Sequence, residues 1–220
     1  LQAELEASAG VPIYGEFEVK RPLKIIHIQT ERSPREAYQR IIMMMQKIET
    51  NLENFYFEPT FQGYDMSSLK DRTSIINKLK DIKQIFGQID WIHIDPIYAW
   101  TSGNLKDDTG AGCLNDMIRK IQKDICSTIS YNHHPNRGTR DKESGKRMNE
   151  DMYGNRFISA NCTGVFQIKP RLGGNGTTST KIKDSYSCLS SKIDLNYDSQ
   201  YYMSYVDPTK TFSSKSDRML

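Results

Sequence analysis

Long apolar runs are missing from this chain of 220 residues. No stretch approaches the roughly 18 consecutive apolar residues of a membrane-crossing helix, which excludes a spanning segment and a membrane partner. A basic leader is missing too. The first residues, Leu1-Gln2-Ala3-Glu4-Leu5-Glu6-Ala7, carry acids and no positive n-region, so they are no signal peptide. They also lack a starting Met and read as the middle of a helix, so natural sequence upstream is expected. Closely spaced cysteines are missing. The four present, Cys113, Cys126, Cys162 and Cys188, contain no C-x-x-C pair. That excludes a recognisable zinc or redox motif and suits reduced, buried thiols in a cytoplasmic protein. A charge excess of one sign is also missing. The net charge is only +3, which by itself makes no case for nucleic acid. What remains is a chain 37% apolar and 26% charged, sized for one α/β domain with generous loops.

Taken in order, residues 1–9 read as a helix end with Gly10 as its C′ residue. Residues 23–28 (L-K-I-I-H-I) form a short buried strand. Ser33-Pro34-Arg35-Glu36 opens a helix to about Glu49, with Ser33 as N-cap, Pro34 at the first position and Glu36 closing a capping box. Residues 55–61 are aromatic and alternating, a strand near a sheet edge because Pro59 cannot donate to a ladder. Residues 68–86 carry apolar side chains at helical spacing, and Gly87 stops them. Residues 89–94 are a second buried strand, ending in Asp95-Pro96. Residues 114–125 form the next helix and 126–132 the next strand. Alternating strands and helices imply a mostly parallel sheet flanked by helices. Residues 135–151 are highly charged and read as a mobile loop, 152–160 as a short helix, and 163–169 as a fifth strand. Residues 172–178 are a flexible turn. Residues 180–189, 192–197 and 201–206 alternate, which predicts an antiparallel β meander extending the sheet edge. Residues 207–220 read as a flexible tail.

Parallel strands send their carboxyl ends to one edge, where open α/β sheets bind ligands. Glu31 follows the first strand. Asp95 ends the strand Trp91-Ile92-His93-Ile94. Asn132, His133 and His134 follow the last. An acid that polarises water, an acid that holds Mg²⁺ and a polar group on a terminal phosphate are what phosphoryl transfer to water requires. The plainer alternative for Asp95 is a turn started with Pro96. His27 and His93 sit inside strands and read as structural.

Several stretches together resemble the RepA-like hexameric helicase group of RecA-fold ATPases found in plasmid and phage replication. They are Gly10-Val-Pro-Ile-Tyr-Gly15, Ile25-Ile-His-Ile-Gln-Thr-Glu31 with Ser33-Pro34-Arg35, Trp91-Ile-His-Ile-Asp95-Pro96 and Ser130-Tyr-Asn-His-His134. Met152-Tyr-Gly-Asn-Arg156 and Lys183-Asp-Ser-Tyr match less tightly. The resemblance implies a RecA-like ATPase core over residues 1–206, with ATP and Mg²⁺ as cofactors. It makes Glu31 the general base, Asp95 the Walker B aspartate that holds Mg²⁺ through water, and His133 or Asn132 the phosphate sensor. It makes Arg156 an arginine finger, though an exposed helix arginine fits equally, and Lys183 a basic residue acting across a subunit interface. The arginine expected two positions on is Ser185 here. The implied partners are single-stranded DNA and further copies of the chain in a ring, a hexamer in the group. The implied setting is the cytoplasm of a bacterium or a phage-infected host.

The group's phosphate loop, G-x-x-x-x-G-K-[ST], belongs before the first helix, and this chain starts within that helix. Ser144-Gly145-Lys146-Arg147 lacks the first glycine and the final hydroxyl. The 220 residues alone are therefore expected to bind ATP poorly. DNA contacts are expected from residues 98–110 and from Arg137, Arg140, Lys146 and Arg147 in a loop whose alternative is a solvated, mixed-charge surface. The rival from another class is a non-catalytic nucleic-acid-binding or assembly module of the same fold that lacks a phosphate loop.

Overall fold

The computed structural model describes residues 1–48, 52–61, 63–100, 108–133, 161–170, 176–184, 192–197 and 203–205. The chain runs α1 (Gln2–Ala9), β1 (Ile25–Gln29), α2 (Pro34–Met45), β2 (Phe55–Glu58), α3 (Leu69–Phe86), β3 (Trp91–Asp95), α4 (Asp108–Asp124), β4 (Ile129–Tyr131), β5 (Gly164–Pro170), β6 (Gly176–Asp184), β7 (Lys192–Tyr197) and β8 (Met203–Tyr205). No helix among the described residues is long and apolar enough to cross a membrane.

The first four strands form a parallel sheet in the order β2-β1-β3-β4. β1 is buried at all five positions because helices cover both of its faces. Its side chains alternate between two cores. Ile26 and Ile28, with Ile92 and Ile94 of β3, pack on Ile75, Leu79 and Ile82 of α3 and Leu114, Met117 and Ile121 of α4. Ile25 faces the other way and packs with Leu5 of α1 and Ile41 of α2. The chain moves outward from β1 to β2 with α2 on one face. It returns past β1 to β3 with α3 on the other face, then continues to β4 with α4. Reversing direction while switching faces keeps the crossovers of one hand. The reversal also opens a crevice beyond the carboxyl ends of β1 and β3.

The helix starts follow the local sequence. Ser33 Oγ accepts from the Glu36 N–H at 3.3 Å and Pro34 takes the first position, so α2 begins where its cap chemistry lies. Ser68 caps α3 in the same way through the Asp71 N–H. α1 ends at Gly10 with φ 74°, the left-handed C-cap expected of it. β2 is an edge strand, as Pro59 implied.

Several expectations need correction. The C-terminal meander does not extend the parallel sheet. β5-β6-β7-β8 is a separate four-stranded antiparallel sheet. Residues 161–164 meet α4 and β4 through side chains: Arg119 donates to Asn161 at 3.1 Å, and Tyr131 Oη lies 2.8 Å from Cys162 Sγ. A cavity of about 320 Å³ lies between β4 and β5, so the two backbones are not within ladder distance there. β6 begins at Gly176, inside the expected turn. Only glycine fits that position, since a Cβ would lie 2.0 Å from the Leu195 carbonyl oxygen. β4 is shorter than residues 126–132, because Ile125 and Cys126 still donate to the Ile121 carbonyl at the end of α4. Residues 98–110 are not one open loop. Ile97–Trp100 is a 3-10 turn whose Ile97 and Trp100 are fully buried, and Asp108 already starts α4. Trp100 packs edge-on against Phe61, and such a large apolar side chain drives its turn into the core. The expected loop at 135–151, the helix at 152–160 and the tail at 207–220 lie outside the described residues.

Candidate functional site

The three strand ends at the crevice are laced together by backbone. The Thr30 N–H donates to the Asp95 carbonyl at 3.0 Å, and Thr30 Oγ1 donates to the Pro96 carbonyl at 2.6 Å. The Asn132 N–H donates to the Ile94 carbonyl, and the Ile97 N–H to the Asn132 carbonyl, both at 3.0 Å. The parallel register sets Gln29 opposite Asp95. These ties fix the side chains at the edge without help from a long loop.

Asp95 and Asn132 meet directly, with Asn132 Nδ2 donating to Asp95 Oδ1 at 2.9 Å. Both line a cavity of about 120 Å³ with Gln29, Arg32, His27 and Leu1. Leu1, just before α1, lines the same cavity as Asp95. Gln29 Oε1 accepts the N–H groups of Glu31 and Arg32 at 3.1 and 3.2 Å and shapes the turn after β1. Glu31, between the lining residues Gln29 and Arg32, is exposed. Its carboxylate accepts from Tyr98 Oη at 2.6 Å. That hydrogen bond, with burial and the charge of Glu31, pushes the Tyr98 phenol up to about 12.

The two sensor candidates separate. Asn132 donates to Asp95 and lines both this cavity and the neighbouring one between β4 and β5, whereas His133 lines only the neighbouring one. Lys183 lies in β6, with its backbone paired to Val165 in the antiparallel sheet. Arg156, Arg137, Arg140, Lys146 and Arg147 lie outside the described residues.

Below the cavity floor sits a polar group that sequence reading did not assemble. His27 and His93 are register partners on β1 and β3, and their rings lie 5.5 Å apart. Glu4 of α1 reaches both. Its carboxylate contacts His27 Nδ1 very closely and lies 3.6 Å from His93 Nε2. The Leu1 ammonium donates to Glu4 Oε1 at 3.0 Å. All three side chains are buried. Burial pushes the Glu4 carboxyl up, but the ammonium, His27 and His93 outweigh it and hold it well below the usual range. Burial takes the His93 imidazole down to about 4, against the pull of Glu4. The signal in the sequence was the twice-used Ile-His-Ile, at residues 26–28 and 92–94. It places both histidines on one sheet face but does not say what covers them.

No protein-family model matches the chain, and no curated protein matches it. The reading of the site therefore rests on its own geometry.

Proposed function

We propose that the chain is the greater part of a RecA-like ATPase domain that couples ATP hydrolysis to movement on single-stranded DNA as a homo-oligomeric ring. The observation that carries this reading is the meeting of Asp95 and Asn132 at one cavity at the reversal point of a parallel sheet. A strand-end aspartate suits a hydrated Mg²⁺, and one carboxylate with an amide partner fits that cation's preference for keeping waters. Glu31 would orient and deprotonate the attacking water, with Tyr98 setting its direction until substrate arrives. Asn132 is the better-placed contact to a terminal phosphate. Mg²⁺ would supply charge neutralisation on the phosphate oxygens.

One observation favours the second reading, a non-catalytic nucleic-acid-binding or assembly module. Nucleotide pockets commonly measure roughly 300–1,000 Å³, and this cavity of about 120 Å³ holds a phosphate-sized group at most. ATP turnover and nucleotide binding by the complete reading frame, with and without single-stranded DNA, separate the two. The ATPase reading expects Glu31→Gln to keep nucleotide binding and lose at least about 100-fold in turnover. It expects Asp95→Asn to abolish the Mg²⁺ dependence of binding. A complete protein that binds no nucleotide while folded sinks the ATPase reading and leaves the module.

A further inference from the structure

We infer that Glu4, His27 and His93 form a binding site for a transition-metal ion, with Zn²⁺ the best match to two imidazoles and one carboxylate. The inference does not depend on the nucleotide reading.

The ligating atoms of these three side chains lie within 4.8 Å of one another, and all three residues are buried. Tetrahedral Zn²⁺ with bonds of roughly 2.0–2.2 Å sets its ligand atoms about 3.3–3.5 Å apart. His93 Nε2 and Glu4 Oε1 are already 3.6 Å apart. Admitting the ion requires the closer contact between His27 Nδ1 and Glu4 to open.

The second observation is an unsatisfied nitrogen. His93 Nε2 is buried and makes no hydrogen bond among the described residues. Its ring is held from the other side, where Nδ1 lies 2.7 Å from Ser130 Oγ. Ser130 Oγ also accepts the Trp91 indole N–H at 2.7 Å, which fixes the hydroxyl in place. In the tautomer that donates Nδ1–H to that oxygen, Nε2 presents a lone pair toward Glu4 Oε1, 3.6 Å away. A cation between them would satisfy the buried nitrogen that no hydrogen bond serves. An outer hydrogen bond on the far nitrogen is also what orients and tunes metal-bound histidines. Carboxylate and imidazole ligands suit Zn²⁺ and disfavour Mg²⁺, which takes oxygen ligands.

The three ligands come from α1, β1 and β3, so the ion would tie the first helix to the centre of the parallel sheet. His27 also lines the cavity shared with Leu1, Asp95 and Asn132, which adjoins the site and would supply water as a fourth ligand. The competing cation is the Leu1 ammonium on Glu4 Oε1.

The test uses the full chain without a polyhistidine tag, stripped with chelator and shown to be folded by circular dichroism. Zn²⁺ is titrated against a chromophoric chelator, and Co²⁺ is added separately as a spectroscopic probe. The expected result is one Zn²⁺ per chain and visible d–d absorption from four-coordinate Co²⁺. Co²⁺ should also quench the fluorescence of Trp91, whose ring lies 6.2 Å from His93. Glu4→Gln and His93→Gln should each weaken Zn²⁺ binding more than 100-fold on the order expected for lost ligands, and Ser130→Ala by roughly 10–100-fold. Ser130→Ala leaves all three ligands in place, so it tests the site even where a ligand variant fails to fold. Folded protein that takes up no stoichiometric Zn²⁺, or Zn²⁺ uptake unchanged in Ser130→Ala and Glu4→Gln, overturns the inference. The cluster would then be a proton-linked ion pair.

Discussion

Glu58 at the end of β2 is the most exacting test of how the parallel sheet is held. Its carboxylate is only 2% exposed. It accepts from the Thr60 N–H at 2.8 Å, from Thr60 Oγ1 at a very short distance, and from Lys78 Nζ of α3 at 3.0 Å. The perturbation is Lys78→Met, which removes the ammonium and with it the bonds to Glu58 and Thr60 Oγ1 and the contact over the Phe61 ring. Losing the charge-assisted hydrogen bond to Glu58 costs about 1.5–3 kcal/mol. An uncompensated buried charge would cost about 3–5 kcal/mol. Two features hold the effect below that ceiling. Thr60 still supplies both of its donors, and Lys78 is 36% exposed at its side chain, so water reaches the vacated place. The expected loss is therefore about 2 kcal/mol. With a urea m-value of about 2–3 kcal/mol/M, the unfolding midpoint falls by roughly 0.7–1 M. Glu58→Gln with Lys78→Met should be less destabilised than the sum of the singles, because no buried charge is then stranded. Urea melts followed by far-UV circular dichroism at neutral pH give all four corners of the cycle. A Lys78→Met midpoint within about 0.2 M of wild type, with additive singles, would refute the claim that α3 neutralises this strand end.

Two further outcomes follow from local geometry. Arg21 grips Asp90 with two bonds of 2.9 and 2.7 Å, and that contact, aided by the Lys24 N–H, holds the Asp90 carboxyl below its ordinary value. A carboxyl lowered in the fold stabilises above its unfolded pKa, about 3.9, and that stability is lost as pH falls through the folded value. Arg21→Ala should therefore melt lower than wild type at pH 5, with the gap closing by pH 2; melting temperatures that differ equally at both pH values contradict the pairing. Gly10 has φ 74°, and a Cβ there would lie 2.9 Å from Pro22 Cγ and Cδ, whereas Gly15 has φ 75° and open space around it. Gly10→Ala and Gly15→Ala should each lose about 1–2 kcal/mol to backbone strain, with the Pro22 clash adding to Gly10→Ala alone. Equal urea midpoints for the two variants would remove that clash from the account.

Much of the parallel half was legible because its signals are local. Apolar runs bounded by turns marked β1 and β3, Ser33 marked a helix start, and Gly10 and Gly87 marked helix ends. Asp95 could be placed at a strand tip for the same reason. The meander was legible as strands but not as a separate sheet. Alternation reports that a strand has two faces and is silent on which edge it pairs with. Trp100 was read as part of a loop because one aromatic residue after a proline carries no period, and its burial depends on Phe61, nearly 40 residues earlier.

The candidate site divides along the same line. The sequence by itself determined that Glu31, Asp95 and Asn132 lie just past the ends of parallel strands, since strand direction alone sends them to one edge. Only the tertiary structure decided that Asn132, and not His133, meets Asp95. Neighbours in an extended chain point to opposite sides, and which side holds the partner is set by packing. Only the tertiary structure brought Glu4 over His27 and His93. A repeated Ile-His-Ile puts two imidazoles on one sheet face, but the helix that covers that face is chosen by the direction of the crossovers, which no local pattern encodes.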